Sequence, residues 1–166
     1  VTERGLVRCH SVVLAGGAWS RLFCQNLGVH FPQLTVTNSV CRTALLEAGI
    51  EASIAGGNFA VRRRHDGGYT IAHSRYSVAD VVPDSFRLFK DFLPALKADW
   101  RDLRLRLGQR FIGEWTRPKS WNADEESPFE RCRTNNPQPV ESVLREALDE
   151  LRRVLPQFQN AEIVEK

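Results

Sequence analysis

Two adjacent glycines lie where the backbone of this chain could approach an anion. The apolar run 12–15 leads into Gly16 and Gly17, and Trp19 then begins a segment with apolar residues at helical spacing. Glycine has no Cβ, and a strand, a glycine turn and a helix N-terminus together offer N–H groups to a dinucleotide phosphate. The pattern predicts a buried strand over 12–15 and a backbone approach to a phosphate at Gly16–Trp19, with tight packing alone as the alternative.

Basic and aromatic side chains surround a second turn, at residues 66–68. The segments 59–63 and 69–73 flank this Asp-Gly-Gly sequence, which predicts a hairpin. Loop parity decides which side chains share a face. An odd loop groups one set of residues: Phe59, Val61, Arg63, Tyr69, Ile71 and His73. An even loop brings Arg62 and Arg64 to that face instead. Apolar matching favours the odd loop, with Arg62 and Arg64 on the opposite face.

The order of these segments resembles the D-amino-acid oxidase-like family of FAD-dependent oxidoreductases, which includes glycine and sarcosine oxidases. The residues that carry the resemblance are TERGLVRCH (2–10), SVVLAGGAWS (11–20), LG (27–28), FPQL (31–34), VCRT (40–43) and RRRHDGGYTIA (62–72). The resemblance spans most of the chain, is most specific in residues 1–75 and thins out beyond Arg117. In that family the GGAWS-type segment passes close to FAD, and a sheet of the substrate domain roofs the flavin ring.

The resemblance implies a site with two sides. The residues implied at the FAD are Gly16, Gly17, Ala18 and Trp19. An arginine with a tyrosine commonly grips the substrate carboxylate in the family, so the residues implied on the substrate side are Arg42, Arg64, Tyr69 and His73. Each has a structural alternative: a solvated basic strand for the arginines of 62–64, an ion pair for Arg42, and sheet packing for Tyr69 and His73. No residue is assigned to proton transfer.

Two parts of the family pattern are missing from this sequence. It has no G-x-G-x-x-G fingerprint, and it lacks the C-terminal segment that closes over the flavin. It also has no Met and begins at Val1. We therefore expect a fragment of a longer oxidoreductase, inactive alone and a poor binder of FAD by itself. Its expected partners are the missing FAD-binding portion and a small amino acid or amine.

Composition excludes several other classes of function. A net charge of +3 over 166 residues is too small and too scattered to argue for nucleic acid. No apolar run approaches the roughly 20 residues that span a bilayer. The cysteines and histidines show no metal-ligand spacing. Cys9, Cys24 and Cys41 lie in apolar segments, which predicts buried, reduced thiols and is consistent with the cytoplasm.

Hydrophobic periodicity predicts the remaining elements. Asp84 or Ser85 can cap a helix whose apolar stripe continues to Gly108. Pro94 interrupts the stripe, so we expect a kink or two helices meeting near Leu93. The other predicted elements are strands over 34–46, 110–116 and 161–164, a helix over 140–155, and a long connection over 117–139 anchored by Trp121 and Phe129.

The sequence therefore predicts an α+β (α/β) fold. Residues 1–33 are expected to be a strand–turn–helix remnant of an FAD-binding domain. Residues 34–160 are expected to form a substrate domain, a mostly antiparallel or mixed sheet flanked by helices, and 161–166 to begin the return strand. The implied function is oxidation of the C–N bond of an amino acid or related amine by hydride transfer to flavin, followed by hydrolysis of the imine. The alternatives are a flavoenzyme acting on a macromolecule-attached amine and a non-catalytic α/β interaction domain.

Overall fold

The computed structural model of the protein describes residues 5–122, 124–134 and 137–166. The chain divides into two units. Unit 1 comprises Val1–Thr35, Asp80–Ala98 and Leu107–Asn136, and unit 2 comprises Val36–Ala79, Asp99–Arg106 and Pro137–Lys166. Each unit combines segments that are distant in the sequence, so neither could be outlined from local pattern alone.

The regular elements mix short strands with helices. The strands are β1 (Val36–Thr37), β2 (Val40–Thr43), β3 (Ile54–Gly56), β4 (Phe59–Arg63), β5 (Tyr69–Ala72), β6 (Ser77–Asp80), β7 (Leu103–Arg106) and β8 (Ile163–Glu165). The helices are α1 (Ser20–Asn26), α2 (Pro83–Arg87), α3 (Phe89–Asp99), α4 (Gln109–Thr116), α5 (Pro128–Arg131) and α6 (Glu141–Val154), with 3₁₀ turns at Gly17–Trp19 and Pro156–Phe158. This content confirms the predicted α+β class.

Unit 2 is built on a five-stranded antiparallel sheet of order β3-β4-β5-β2-β8. Val61 lies opposite Ile71, and Arg63 lies opposite Tyr69. This register confirms the odd hairpin loop. Because side chains alternate along a strand, it places Tyr69 and Ile71 on one face and Arg62 on the other.

One face of this sheet is covered by α6 and the Pro156–Phe158 turn. The residues of α6 that are buried recur every three or four positions, which confirms the predicted helix over 140–155. The core they form with the sheet consists of Cys41, Ala48, Phe59, Val61, Tyr69, Ile71, Leu144, Ala147, Leu151, Phe158 and Ala161. The opposite face is exposed or half-exposed, and its side chains include Arg42, Arg62 and Thr70.

A second sheet, of three strands, has the order β1-β6-β7. The predicted strand over 34–46 is divided between β1 and β2, which lie in different sheets. The prediction that the helical stripe continues to Gly108 is wrong at its end, because Leu103–Arg106 forms the strand β7. Its sequence Leu-Arg-Leu-Arg alternates with a period of two, and that period favours a strand over a helix.

The break in the predicted 84–108 helix lies elsewhere than expected. Helix α2 ends at Arg87, Leu88 follows, and α3 then begins, so the two helices meet at Leu88 rather than near Leu93. Pro94 lies inside α3. The Leu88 N–H donates to the Asp84 carbonyl and its side chain is buried, which fixes the chain at this point.

The predicted buried strand over 12–15 is wrong. Val12 and Val13 are 77% and 90% exposed, and residues 6–16 form no strand. The predicted hairpin over 2–10 is likewise not formed at 6–10, while residues 1–4 lie outside the described residues. A strand needs a neighbour for its N–H and C=O groups, and among the described residues none pairs with 12–15 as a strand.

The predicted strand over 110–116 is also wrong, because α4 occupies this segment. Phe111 and Trp115 stack with ring centroids 6.0 Å apart, and Glu114 forms ion pairs with Arg110 and Arg117. These partners are three or four residues apart, which is the spacing that a helix brings together and a strand does not. Side-chain pairing therefore explains the helix.

The connection over 117–139 is anchored as predicted. Trp121 and Phe129 pack edge-to-face at 5.1 Å, and the short helix α5 begins at a capping box. In that box the backbone N–H of Ser127 donates to the Glu130 carboxylate at 2.6 Å. Residues 123, 135 and 136 of this connection lie outside the described residues.

The four cysteines are free thiols. Cys24 and Cys41 are buried as predicted, and burial raises the pKa of Cys41 to about 11. The expectation that Cys9 is buried is wrong, because it lies in the exposed segment that contains Val12. In the described part of the chain, no helix combines the length and the apolar character needed to cross a membrane.

Candidate functional site

The glycine turn in unit 1 leaves its backbone open. Gly17 has φ +52°, a left-handed conformation that glycine adopts without strain. A Cβ built on Gly17 would have no neighbouring atom within 4 Å, whereas one on Gly16 would lie 3.3 Å from the Ser20 Oγ. Gly17 is thus uncovered, as a close approach by another molecule requires, whereas Gly16 packs against Ser20.

Several N–H groups beside this turn already have partners. The N–H of Trp19 donates to the Gly16 carbonyl at 3.0 Å, and the N–H of Ser20 to the Gly17 carbonyl. The side-chain amide of Gln33 accepts from the Arg21 N–H at 3.2 Å and donates to the Gly17 carbonyl at 3.1 Å. Gln33 was not singled out from the sequence, although it lies in a segment that carries the resemblance. The open backbone groups at residues 16–18 are therefore N–H groups, since the Gly16 and Gly17 carbonyls already accept hydrogen bonds.

The indole of Trp19 packs inside unit 1 rather than standing free. Its ring lies edge-to-face on Phe129 at 5.5 Å, and the Arg117 guanidinium lies 5.4 Å from its centroid. Phe129 also contacts Phe23 and Trp121. This aromatic cluster fixes the end of the glycine turn against the connection that contains Trp121. Trp19 thereby holds the turn in place through its side chain.

Arg21 and Asp84 fix the same region electrostatically. Their Nε and Oδ2 atoms are 2.6 Å apart, and Arg21 also donates to the Phe31 carbonyl at 3.1 Å. Burial raises the pKa of Asp84, but hydrogen bonds and charge from Arg21 and Arg87 outweigh burial and leave the pKa lowered. Because the ionised form is favoured in the folded state, this carboxylate stabilises the fold above its unfolded pKa.

Replacing Asp84 by Asn is expected to lower the free energy of unfolding at pH 7 by about 1 kcal/mol. The wild-type advantage is complete above the ordinary pKa of 3.8 and disappears as the pH falls through the lower folded-state value. Urea denaturation at pH 7 and pH 3 measures the difference. Arg21→Gln should lose a similar amount, and the double variant should lose little more. Equal stability of Asp84→Asn and wild type at pH 7 would contradict the assignment.

Unit 2 contains a basic pocket of about 520 Å³ at the end of the β4–β5 hairpin. Its lining, which we call the arginine pocket, is Arg42, Arg62, Arg63, Arg64, His65 and Asp66. Arg64 forms a short ion pair with Asp66 and lies 3.5 Å from the Thr43 carbonyl. Arg42 lies 3.7 Å from Asp66 and pairs closely with Glu165, and Arg63 pairs with Glu51. The pocket can bind an anion through guanidinium forks.

The arginine pocket unites two of the four predicted substrate residues, Arg42 and Arg64. Tyr69 is not among them, because it lies on the covered face and is 1% exposed. Its hydroxyl donates to the Ile50 carbonyl at 3.0 Å, and its N–H donates to the Thr43 Oγ1 at 2.9 Å. A buried, hydrogen-bonded phenol of this kind holds the sheet together.

The side chain of His73 is also buried, at 1% exposed. Its Nδ1 accepts the backbone N–H groups of Arg75 and Tyr76 at 3.1 and 3.0 Å, so the ring proton resides on Nε2. Nε2 has no hydrogen-bond partner among the described residues, and the Glu146 Oε2 lies 3.9 Å from it. Burial lowers the pKa of His73, which keeps the ring neutral and the turn after β5 intact.

A cation–π stack beside His73 was not anticipated from the sequence. The Arg104 guanidinium lies 3.9 Å above the Tyr76 ring and forms a two-pronged ion pair with Glu146 at 3.0 and 2.9 Å. The hydrogen bond from Arg104 lowers the pKa of Glu146. Arg104 lies in β7 and Glu146 in α6, so only the tertiary structure could join them. Among the described residues, no group of histidine, cysteine and carboxylate side chains could hold a metal ion.

Comparison with known proteins gives one kind of match. Neither the protein-family descriptions nor the curated proteins match the sequence. Among solved structures, the L-amino acid deaminase from Proteus myxofaciens, in complex with anthranilate, matches 98% of this chain with 32% identity and a TM-score of 0.88. The L-amino acid deaminase from Proteus vulgaris matches 91% with 32% identity and a TM-score of 0.81. The chain spans 36% and 35% of those two proteins, respectively. Over nearly its whole length, this chain is therefore similar in sequence and fold to about a third of an L-amino acid deaminase.

Proposed function

We propose that the chain is part of an FAD-dependent oxidoreductase of the D-amino-acid oxidase-like family that oxidises the C–N bond of an amino acid. One observation carries the proposal: 98% of the chain matches, at 32% identity, an L-amino acid deaminase in complex with anthranilate. Anthranilate is an aminocarboxylate, so its presence supports a carboxylate-bearing ligand. The chain covers 36% of that protein, and the remainder would include the FAD-binding portion.

FAD, when bound, would accept two electrons and the Cα hydrogen of the amino acid as hydride. The amine loses a proton in the same oxidation, and water converts the resulting imine to a 2-oxo acid and ammonia. The residues of this chain would contribute binding and orientation, and we assign none of them to proton transfer. We expect the carboxylate of the substrate to be the group that they hold.

The glycine turn is the part of the chain that we assign to FAD. The exposure of Gly16, Gly17 and Ala18 supports this assignment, and Trp19 would contribute by holding the turn through its packing on Phe129. In the same proposal residues 1–33 belong to the FAD-binding domain, 34–160 form the substrate domain and 161–166 begin the return. The exposed Val12 and Val13 would then pack against the FAD-binding portion.

The free thiols support the cytoplasm as the location.

The exposed face of the five-stranded sheet is the part that we assign to the substrate. Arg42 and Arg64 would bind the substrate carboxylate, and Asp66 would release them or turn to the substrate ammonium group. Tyr69 and His73 would then act from the covered face, as residues that position the sheet. Their burial supports that role over the direct substrate contact implied by the resemblance.

The test uses the natural full-length protein. We expect a flavin absorbance spectrum that is bleached by an amino acid under anaerobic conditions, whereas the 166-residue chain alone stays colourless. Arg64→Gln is expected to raise KM by about 10-fold or more, because a two-pronged contact to carboxylate is lost. Arg145→Gln, an exposed position on α6, is the matched control and should leave KM unchanged.

Three results would contradict the proposal in different ways. A full-length protein without flavin would remove the redox function and favour an interaction domain. Bleaching by macromolecule-attached amines alone would replace the small substrate with a macromolecular one. An unchanged KM in Arg64→Gln would remove the arginine pocket from the substrate site while leaving the flavin chemistry intact.

A further inference from the structure

The arginine pocket brings together more guanidinium groups than a single carboxylate requires. Four arginines line it and Asp66 is its one carboxylate lining residue. The other two carboxylates that pair with these arginines, Glu165 and Glu51, have side chains 58% and 76% exposed. One guanidinium fork suffices to bind one carboxylate. With these three carboxylates counted, the four arginines keep a net charge of +1, and the exposed Glu165 and Glu51 are the carboxylates that a second anionic group could displace.

The strand register places two of these arginines on either side of a common neighbour. Thr70 on β5 lies opposite Arg42 on β2 and also opposite Arg62 on β4. Neighbouring strands are about 4.8 Å apart, so the two arginine backbones lie on the order of 10 Å apart on the same exposed face. Side chains as long as arginine can converge from that distance on a ligand with two carboxylates.

Of Arg42 and Arg62, Arg62 is the one whose guanidinium remains able to bind a further anion. Its guanidinium has no ion-pair partner among residues 5–122, 124–134 and 137–166, whereas Arg42, Arg63 and Arg64 each have a carboxylate partner. Arg64, with a side chain only 14% exposed, is held in place by Asp66 and Thr43. A first carboxylate would thus meet Arg42 and Arg64, and a second would meet the exposed Arg62.

We propose that the arginine pocket selects a dicarboxylic amino acid, one whose side chain carries its own carboxylate. This inference rests on the proposed function and names its substrate class. A neutral amino acid leaves Arg62 without an anion, while an acidic one gains a charge-assisted hydrogen bond on that side. Such a bond corresponds to about 10- to 100-fold in affinity.

The first measurement is binding of glutarate, which has two carboxylates, against butyrate, which has one and a similar chain length. Calorimetry on the natural full-length protein should show glutarate binding at least about 10-fold more tightly. In Arg62→Gln the affinities for glutarate and butyrate should lie within about threefold of each other, and Arg145→Gln should preserve the wild-type difference. Circular dichroism on each variant checks that the fold is retained. Equal affinity for the two acids in wild type, or an unchanged ratio in Arg62→Gln, would overturn the inference.

The second measurement is the ratio of kcat/KM for glutamate to that for glutamine, read from flavin reduction. In wild type we expect kcat/KM for glutamate to exceed that for glutamine by at least about 10-fold. In Arg62→Gln we expect the two values to lie within about threefold of each other. Comparable rates for the two substrates in wild type would overturn the selection of acidic substrates. If no amino acid reduces the flavin but glutarate still binds selectively, the proposed oxidation is wrong and the dicarboxylate site stands as a binding site.

Discussion

Phe158→Ala is expected to lower the free energy of unfolding of unit 2 by about 3–5 kcal/mol. The Phe158 side chain is fully buried and meets the Tyr69 ring edge-to-face at 5.0 Å. Removing the ring loses the free energy gained by burying it, leaves a cavity, and takes away the contact that fixes Tyr69. A domain is stable by about 5–15 kcal/mol in total, so the loss is a large share of it.

Urea denaturation followed by far-ultraviolet circular dichroism measures this loss. Val164→Ala, in β8 of the same sheet, is the control because the Val164 side chain is more than half exposed, and it should cost less than about 1 kcal/mol. If Phe158→Ala costs no more than Val164→Ala, the packing of the Pro156–Phe158 turn on the sheet is wrong.

Gly68→Ala is expected to cost about 1–3 kcal/mol, because the new methyl group collides with backbone. A Cβ on Gly68 would lie 2.6 Å from the Thr43 carbonyl oxygen and 3.2 Å from that of Ala44. Backbone carbonyls cannot rotate away as the end of a side chain can, so β2 and the hairpin must separate. Arg64 reaches the same Thr43 carbonyl, and the variant should therefore also weaken glutarate binding in the arginine pocket.

Gly56→Ala is the matched control for this substitution. Gly56 lies at the end of β3 in the same sheet, and a Cβ there would meet no atom within 4 Å. Thermal or urea denaturation of both variants should show a loss for Gly68→Ala alone. A Gly68→Ala variant as stable as Gly56→Ala, with unchanged glutarate affinity, would contradict the close approach of the hairpin to Thr43.

Local sequence signals predicted the elements whose pattern agrees with their final packing. The Asp-Gly-Gly turn at 66–68 and its apolar flanks gave both the hairpin and the correct register, since Val61 does lie opposite Ile71. The helix over 140–155 has an apolar stripe and a proline after its end, and α6 follows both signals. In these segments the apolar residues that set the sequence period are the same residues that pack into the core.

The wrong predictions concern short segments of two kinds. In one kind the apolar residues fit both the helical and the strand period, and in the other no neighbouring strand is present among the residues that the structure describes. The segment 110–116 is apolar enough for a strand, but the stack of Phe111 on Trp115 and the ion pairs of Glu114 favour the helix. The run 12–15 has the composition of a buried strand, but none of the described segments pairs with it as a strand. Composition alone cannot supply the neighbouring backbone that a strand needs.

The sequence by itself favoured one arrangement of side chains on the hairpin, because apolar matching pairs Val61 with Ile71 and thereby separates Tyr69 from Arg62. It also determined that the glycine pair at 16–17 can adopt backbone conformations closed to other residues. Only the tertiary structure decided that α6 covers the face of Tyr69 and His73 and that Arg42 joins Arg64 in one pocket. The reason is that those contacts join residues far apart in the chain, and a local pattern carries no information about which distant segment will cover it.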